Sequence, residues 1–282
     1  MDFRPVKTDR SAIEQQRNLF ARCFPNPTQY SAAYLHWLYL ENPSGSVVGF
    51  EAFDGDRLVA HYVCIPAPII LDGNERRAIL SLNTATDPDY QGRGLFTQLA
   101  SATYAKAAGK NFHAVFGVAN ANSTPGFIKK LGFQHVGSLL ALVGVGSIFA
   151  DQHDKIRRSA TFRRSLPKSM LEWRVANPVN PVGTCRLRTG GVGYAARTHV
   201  PSLVSWTERA DGINTSQSAP PHLARVFVGC LPTGITPHNF YVPIPQRFRP
   251  SPLNLIYRPL GSVPDKIDPQ GAYFDFLDFD PF

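Results

Sequence analysis

The chain is poor in the features that mark a stapled, metal-bound or membrane-held protein. Its four cysteines, Cys23, Cys64, Cys185 and Cys230, are scattered without CxxC spacing. They sit among apolar or small neighbours, so buried thiols are expected, and no metal site. No run approaches the roughly 20 apolar residues that a membrane helix needs. The opening "MDFRPVKTDRSAIEQQ" lacks the apolar stretch of a secretory signal, and a cytoplasmic location is the expectation. Acidic residues are also scarce, 21 against 29 Lys and Arg, for a net charge of +8. The imbalance is uneven: residues 1–150 hold 13 basic and 11 acidic residues, and the remainder 16 and 10. Such a surplus asks for an anionic partner or a solvated basic face, and it is densest at Arg157, Arg158, Arg163, Arg164 and Lys168. No recognisable nucleic-acid-binding module is present there, which argues against a nucleic-acid binder.

Apolar material is plentiful. Hydrophobic residues make up 43% of 282 positions, with 19 Phe and 10 Tyr, enough to bury a core without staples. The first half alternates strand and helix signals. A polar–apolar helix covers residues 11–23, stopped by Pro25 and Pro27, and Ser31 reads as the N-cap of "AAYLHWLYL". "SVVGFEAFDG" and "RLVAHYVCIPAPII" form a hairpin about Asp54, Gly55 and Asp56. "AILSLNTAT" is a strand, Leu95–Ala108 a helix ended by Gly109, "NFHAVFGVAN" a strand buried on both faces, and "PGFIKKL" a short helix closed by Gly132. Strand, glycine turn, helix, strand is the logic of a mixed or parallel sheet.

Beyond residue 150 the texture becomes basic, then proline-rich with short strand-like pieces: "CRLRT", "VGYAART", "ARVFVGC", "NFYVPI" and "LNLIYRPL". The expected division is residues 1–149, a basic helical connector over 150–185, and a smaller α+β module over 186–282. Arg247 and Arg249, two apart, would share one side of a strand and hold an acceptor's phosphate or carboxylate, or pair with Asp278 or Asp280. "WLYLENPSG" and "EWRVANPVN" echo one another, which suits either a diverged repeat or chance.

The informative motif is "YQGRGLF". Glycine costs about 1 kcal/mol in helix propensity, yet Gly92 and Gly94 stand where a helix begins. Helix-leading N–H groups lack internal partners and carry partial positive charge, so they suit phosphate oxygens, and glycines let a pyrophosphate come close. Arg93 adds charge at the rim. The pattern is neither GxxxxGK[ST] nor GxGxxG, which sets aside nucleoside-triphosphate and dinucleotide sites.

In this order of parts the sequence resembles the Gcn5-related N-acetyltransferase superfamily. Its acyl-CoA signature, Q/R-x-x-G-x-G/A, aligns on Gln91, Gly92, Arg93, Gly94, Leu95 and Phe96, with Phe96 standing where the family has a small residue. Its downstream pattern looks like Asn120, Ser123, Gly132 and Phe133. The resemblance spans about Phe3 to Gly146 and implies an α/β (α+β) fold with a mixed, partly splayed central sheet flanked by helices. It further implies that Leu82, Thr84, Ala85 and Thr86 face the pantetheine of acetyl-CoA or another short acyl-CoA, with an oxyanion donor among the amides near Leu82 or Asn83. Ile128 stands where many relatives have an acidic tyrosine. The wording of "WLYLENPSG", "TATDPDYQGRGLF" and "VANANSTPGFIKKLGF" resembles a subgroup tied to amino-sugar and surface-polysaccharide pathways. The implied reaction is acyl transfer from CoA to a small-molecule primary amine, with a non-catalytic acyl-CoA-binding module as the other reading. For the base, His61 leads, followed by Glu51; Asp87 and His113 have ordinary structural readings, and Asn83, Thr84 and Thr86 can touch substrate or simply build the strand.

Overall fold

The computed structural model describes residues 1–25, 27–149, 152–188, 190–215, 224–238, 240–249 and 251–279. Strand β1 (Asp2–Pro5) precedes helix α1 (Arg10–Cys23), which is capped by the Asp9 carboxylate on the Ala12 amide. Helix α2 (Ala32–Leu40) starts at Ser31, whose hydroxyl accepts from Tyr34 N as the sequence expects. The hairpin is β2 (Val48–Asp54) and β3 (Arg57–Pro66). Two short strands follow, β4 (Ile69–Leu71) and β5 (Asn74–Arg76), then β6 (Ala78–Thr86). Helix α3 (Leu95–Gly109), strand β7 (Ala114–Ala119) and helix α4 (Thr124–Leu131) complete the expected succession, and left-handed Gly132 ends α4.

The rest comprises β8 (Gln134–Ser138), β9 (Leu140–Gly144), α5 (His153–Ser159), β10 (Phe162–Arg164), α6 (Lys168–Val175), β11 (Gly183–Arg186), β12 (Val192–Arg197), β13 (Leu203–Arg209), β14 (Ala224–Gly229), β15 (Val242–Pro243) and β16 (Asn254–Pro259). A seven-stranded sheet has the order β1-β2-β3-β6-β7-β16-β8, a six-stranded sheet β11-β12-β13-β14-β9-β15, and a small sheet β10-β4-β5. No helix among the described residues is long and apolar enough to cross a membrane.

The chain forms two compact units that interleave along the sequence. One holds Met1–Pro68, Arg76–His135 and Ile256–Lys266; the other holds Ile69–Glu75, Val136–Leu255 and Ile267–Phe282. The basic segment expected as a connector therefore contributes α5, β10 and α6 to the second unit, and most of β16 returns to the first. In the first unit successive residues of β3 point to opposite faces. His61 meets Phe20 of α1 and Tyr39 of α2, while Tyr62 meets Phe96 and Tyr104 of α3. The sheet is thus sandwiched, with Leu95, Leu99, Tyr104, Phe127 and Phe133 among the core on the α3 side.

The second unit repeats the strand plan of the first. Strands β11, β12 and β13 are antiparallel neighbours and β13 pairs parallel to β14, just as β2, β3 and β6 are antiparallel and β6 pairs parallel to β7. The Asn-Pro echo has a structural counterpart. After α2, buried Asn42 accepts from Ser44 N, and after α6, buried Asn177 accepts from Val179 N. Beyond Ser205 and Val226 the β13–β14 pairing ends. There the tail engages both strands: Cys230 and Phe274 exchange main-chain hydrogen bonds, and Thr207 donates to Asp275. Arg209 bridges Asp275 and Asp278 at 3.2 and 3.4 Å, and Arg164 and Arg174 bond tail carbonyls. Burial, reinforced by repulsion from Asp275, pushes the Asp278 carboxyl up to about 7.

Two expectations for this unit change. Residues 246–248 form a 3-10 turn, so Arg247 and Arg249 do not share a strand face; Arg247 stacks on Phe248 and Arg249 bonds Ile244 O. Asp278 belongs to Arg209, and Asp280 lies outside the described residues.

Candidate active site

Strand β6 is the backbone of the site. On one side it pairs with β3 along its length, from Pro66↔Ile79 to Ala60↔Thr86. On the other its parallel pairing with β7 runs only from Ala78↔Ala114 to Ser81↔Gly117. Gly117 permits the last close approach, because a Cβ there would lie 3.2 Å from Ser81 atoms. From Leu82 onward the strands part, which leaves the β6 edge at Leu82, Thr84, Ala85 and Thr86 unpaired and opens a wedge at the carboxyl ends of parallel strands.

The glycine turn closes the outer end of that wedge. Gly92 and Gly94 have φ of 75° and 74°, a left-handed conformation that strains any side-chain-bearing residue, and Gly94 is the N-cap of α3. No side chain caps this helix, so its leading amides are free for a ligand. A cleft of about 410 Å³ lies against them, bounded by Thr86, Tyr90, Gln91, Leu95, Asn122 and Lys130 among others. Arg93 lies over the Tyr90 ring at 4.7 Å and bonds Asp89 O. The turn is anchored from behind: buried Asp87 caps the 3-10 turn Pro88–Tyr90 and receives Arg22 at 2.7 Å and Arg57 at 2.8 Å. Burial acts to raise the Asp87 carboxyl, but the two arginines outweigh it and hold the group below the usual carboxylate range. Its acceptors are spent in this way, which removes Asp87 from the candidates for base.

Phe96 does not stand free in the cleft. Its ring packs edge-on against Tyr62 and Phe127, with centroids 5.8 and 5.1 Å away, and Gly126 makes room for it. From the α4 side the cleft is lined by Asn122 and Lys130; Asn120 and Ser123, expected at the cofactor, are not among its lining residues and instead organise the start of α4, where the Asn120 side chain accepts from Asn122 N and Ser123 N. Ile128 packs against the core. His113 precedes β7, and its carbonyl accepts from Leu260 and Gly261 amides.

Deeper in the wedge a buried polar chain crosses the α1–α2 layer. Gln16 Nε2 donates to Lys7 O and to Glu51 Oε1. His61 Nδ1 lies 2.9 Å from the same Glu51 oxygen, His61 Nε2 lies 3.1 Å from Tyr39 Oη, and Asn83 Nδ2 donates to Tyr39 Oη at 2.9 Å. His61, Glu51 and Asn83, chosen from sequence as candidates, are thus brought together. The link between them, Tyr39, was hidden in the apolar helix "AAYLHWLYL". The His61 side chain is 0% exposed with both ring nitrogens engaged, so it does not meet an amine directly. Asn83 is half-buried on the parting stretch of β6, at φ 48°, where the register against β3 slips between His61↔Ala85 and Val63↔Leu82. The slip is a bulge that takes Asn83 and Thr84 out of the regular β3 ladder.

The other buried groups are inert. All four cysteines are free, and burial pushes the Cys64 thiol up to about 12. No group of three or more His, Cys, Asp or Glu suited to a metal occurs among the described residues.

Residues 2–136 match the family of the acetyltransferase (GNAT) domain. Solved structures with the same fold include a GCN5-related N-acetyltransferase from Anabaena variabilis, with 11% identity, TM-score 0.59, and coverage of 92% of this chain and 73% of that one. A conserved protein of Enterococcus faecalis, described as a probable N-acyltransferase, matches at 11% identity and TM-score 0.58 over 92% and 73%. A GCN5-related N-acetyltransferase from Kribbella flavida matches at 11% identity and TM-score 0.55 over 92% and 72%. No curated protein matches by sequence. The fold is GNAT-like with an additional C-terminal sheet, and the match to the acetyltransferase (GNAT) domain lies in the N-terminal half, over residues 2–136.

Proposed function

We propose that the protein moves a short acyl group from acyl-CoA to the primary amine of a small molecule, and that this acceptor is an amino sugar, free or nucleotide-linked. The observation that carries the reading is the parting of β6 from β7 after Ser81 and Gly117, beside a helix that begins uncapped on two left-handed glycines. A pantetheine arm can add to the unpaired β6 edge at Leu82, Thr84, Ala85 and Thr86 as an extra strand would. The main-chain donors of Gly92–Phe96, with Arg93 at the rim, suit a pyrophosphate. The co-substrate supplies an acyl group already activated as a thioester. The chain supplies orientation, worth several kcal/mol of barrier in reactions of two bound partners. Amides of the β6 bulge are placed to donate to the acyl oxygen as charge develops. The basic surplus of the C-terminal half supports an acceptor that carries phosphate, and a CoA-dependent reaction suits the cytoplasm.

The test is thiol release from acetyl-CoA in the presence of amino sugars, nucleotide-linked amino sugars, polyamines and lysine peptides, alongside calorimetric titration with CoA. Turnover with an amino sugar supports the full reading. Turnover with another amine only removes the acceptor class. Binding of CoA without thiol release favours a regulatory acyl-CoA-binding module, and absence of both ends the assignment.

A further inference from the structure

We infer that Tyr39, His61, Glu51 and Gln16 form a buried brace that holds Asn83 in its left-handed conformation and so fixes the direction of the bulge amides. The inference rests on the acyltransferase reading, and it gives His61 and Glu51 a positioning role in place of direct proton transfer.

The starting point is Asn83. At φ 48° Asn83 is left-handed, a conformation that asparagine visits more readily than other side-chain-bearing residues but one that turns the chain out of a strand, so its surroundings decide whether it is kept. What holds it is visible. The Asn83 amide nitrogen is fixed on Tyr39 Oη at 2.9 Å, and Tyr39 is fully buried in α2. The Tyr39 hydroxyl is set in turn by the groups behind it. Gln16 Nε2 faces two acceptors, Lys7 O and Glu51 Oε1, which settles the orientation of its amide. A neutral His61 that donates from Nδ1–H to Glu51 Oε1 accepts at Nε2 from Tyr39 Oη–H, and the Tyr39 oxygen receives Asn83 Nδ2. This set of donors and acceptors is mutually consistent. The Phe20 ring lies edge-on to the His61 imidazole at 5.3 Å and keeps its plane in place. Four elements, α1, α2, β2 and β3, converge on one residue of β6, the residue at which the strand leaves its regular ladder. Besides His61, the titratable groups that face Tyr39 are Glu51 and Tyr30, and burial holds its phenol far above the normal range, so the hydroxyl stays protonated.

The brace is separable from proton transfer by experiment. Tyr39→Phe removes the anchor of Asn83 and should lower kcat by about 10- to 100-fold, the scale of a misplaced oxyanion donor, with CoA affinity by calorimetry and the shape of the pH profile unchanged. Glycine adopts φ near 48° unaided. In the Asn83→Gly background, whatever its own activity, adding Tyr39→Phe should therefore lower kcat by no more than about 3-fold, against about 10- to 100-fold in the otherwise native chain. Three-bond HN–Hα coupling at residue 83 gives a readout independent of turnover: Tyr39→Phe should move Asn83 out of the left-handed region. Full activity of Tyr39→Phe, an undiminished effect of Tyr39→Phe in the Asn83→Gly background, or an unchanged coupling would each overturn the inference. Failure of wild type to bind CoA would instead strike at the acyltransferase reading, leaving the coupling measurement to judge the brace.

Discussion

At the scale of single residues, the most demanding position is Gly94. It sits at φ 74° as the N-cap of α3, and the nearest atoms to a Cβ added there would be those of Gln98 and Thr97 at 3.5 and 3.8 Å, so space is available but the backbone is not. Gly94→Glu combines left-handed strain of about 1–2 kcal/mol with a carboxylate beside the uncapped leading amides of α3. CoA binding by calorimetry should fall below detection while the circular dichroism spectrum stays native; unchanged affinity would mean that the turn does not face the pyrophosphate. Gly92 and Gly94 were legible because glycine at a helix start contradicts propensity. His61 and Glu51 were legible as polar residues on a strand rich in apolar ones. Tyr39 was not, since its neighbours in "WLYL" make any aromatic there look like core, and its hydroxyl finds Asn83 only through a contact 44 residues away. The left-handed φ of Asn83 gave only a weak signal: asparagine is depleted in strands and enriched in left-handed backbone, but one asparagine in "LNTAT" does not by itself place a bulge.

At the scale of elements, the helices and hairpin expected in the first half rest on caps and turns, which are local, and they agree with the structure: Ser31, Asp54–Asp56 and Gly132 all do what their types favour. The strand β13 was missed, because "LVSWTER" places a buried Glu208 and Thr207 where a core strand should be apolar. Those polar groups are satisfied at long range, Glu208 by Trp206, Ser147 and the Ile148 amide, and Thr207 by Asp275. The element whose stability is set by pH is the turn before α3. Its Asp87 has a folded value depressed by Arg22 and Arg57, so its contribution is complete above the ordinary carboxylate value near 4 and is lost as pH falls through the still lower folded value. Asp87→Asn should cost about 1–3 kcal/mol at pH 7 and weaken CoA binding, and the gap in thermal midpoint between variant and wild type should close only as pH falls through the depressed folded value of Asp87. A variant as stable as wild type at pH 7 would show that the arginines are merely solvated neighbours.

At the scale of the whole molecule, the second unit carries the strand plan of the first without its ligand-binding parts, and the reason is length and occupancy. Residues 87–113 join β6 to β7 and contain the glycine turn and the 15-residue α3. Residues 210–223 join β13 to β14 with fewer residues than α3 alone. That connection is too short for a second turn and helix of the same kind. The place where β13 and β14 separate is also taken, since Phe274 bonds Cys230 on the β14 side and Asp275 bonds Thr207 and Arg209 on the β13 side. A Cβ at Gly229 would run into Phe274 O, which shows how closely the tail is laid against β14. Duplication of topology, hinted at by the two Asn-Pro segments, therefore does not imply duplication of function. Calorimetric titration should give one CoA per chain, and Gly94→Glu should abolish that single site without revealing another. A stoichiometry of two, with one of the two sites surviving Gly94→Glu, would mean that the tail yields to a ligand and that the second sheet is a working cleft.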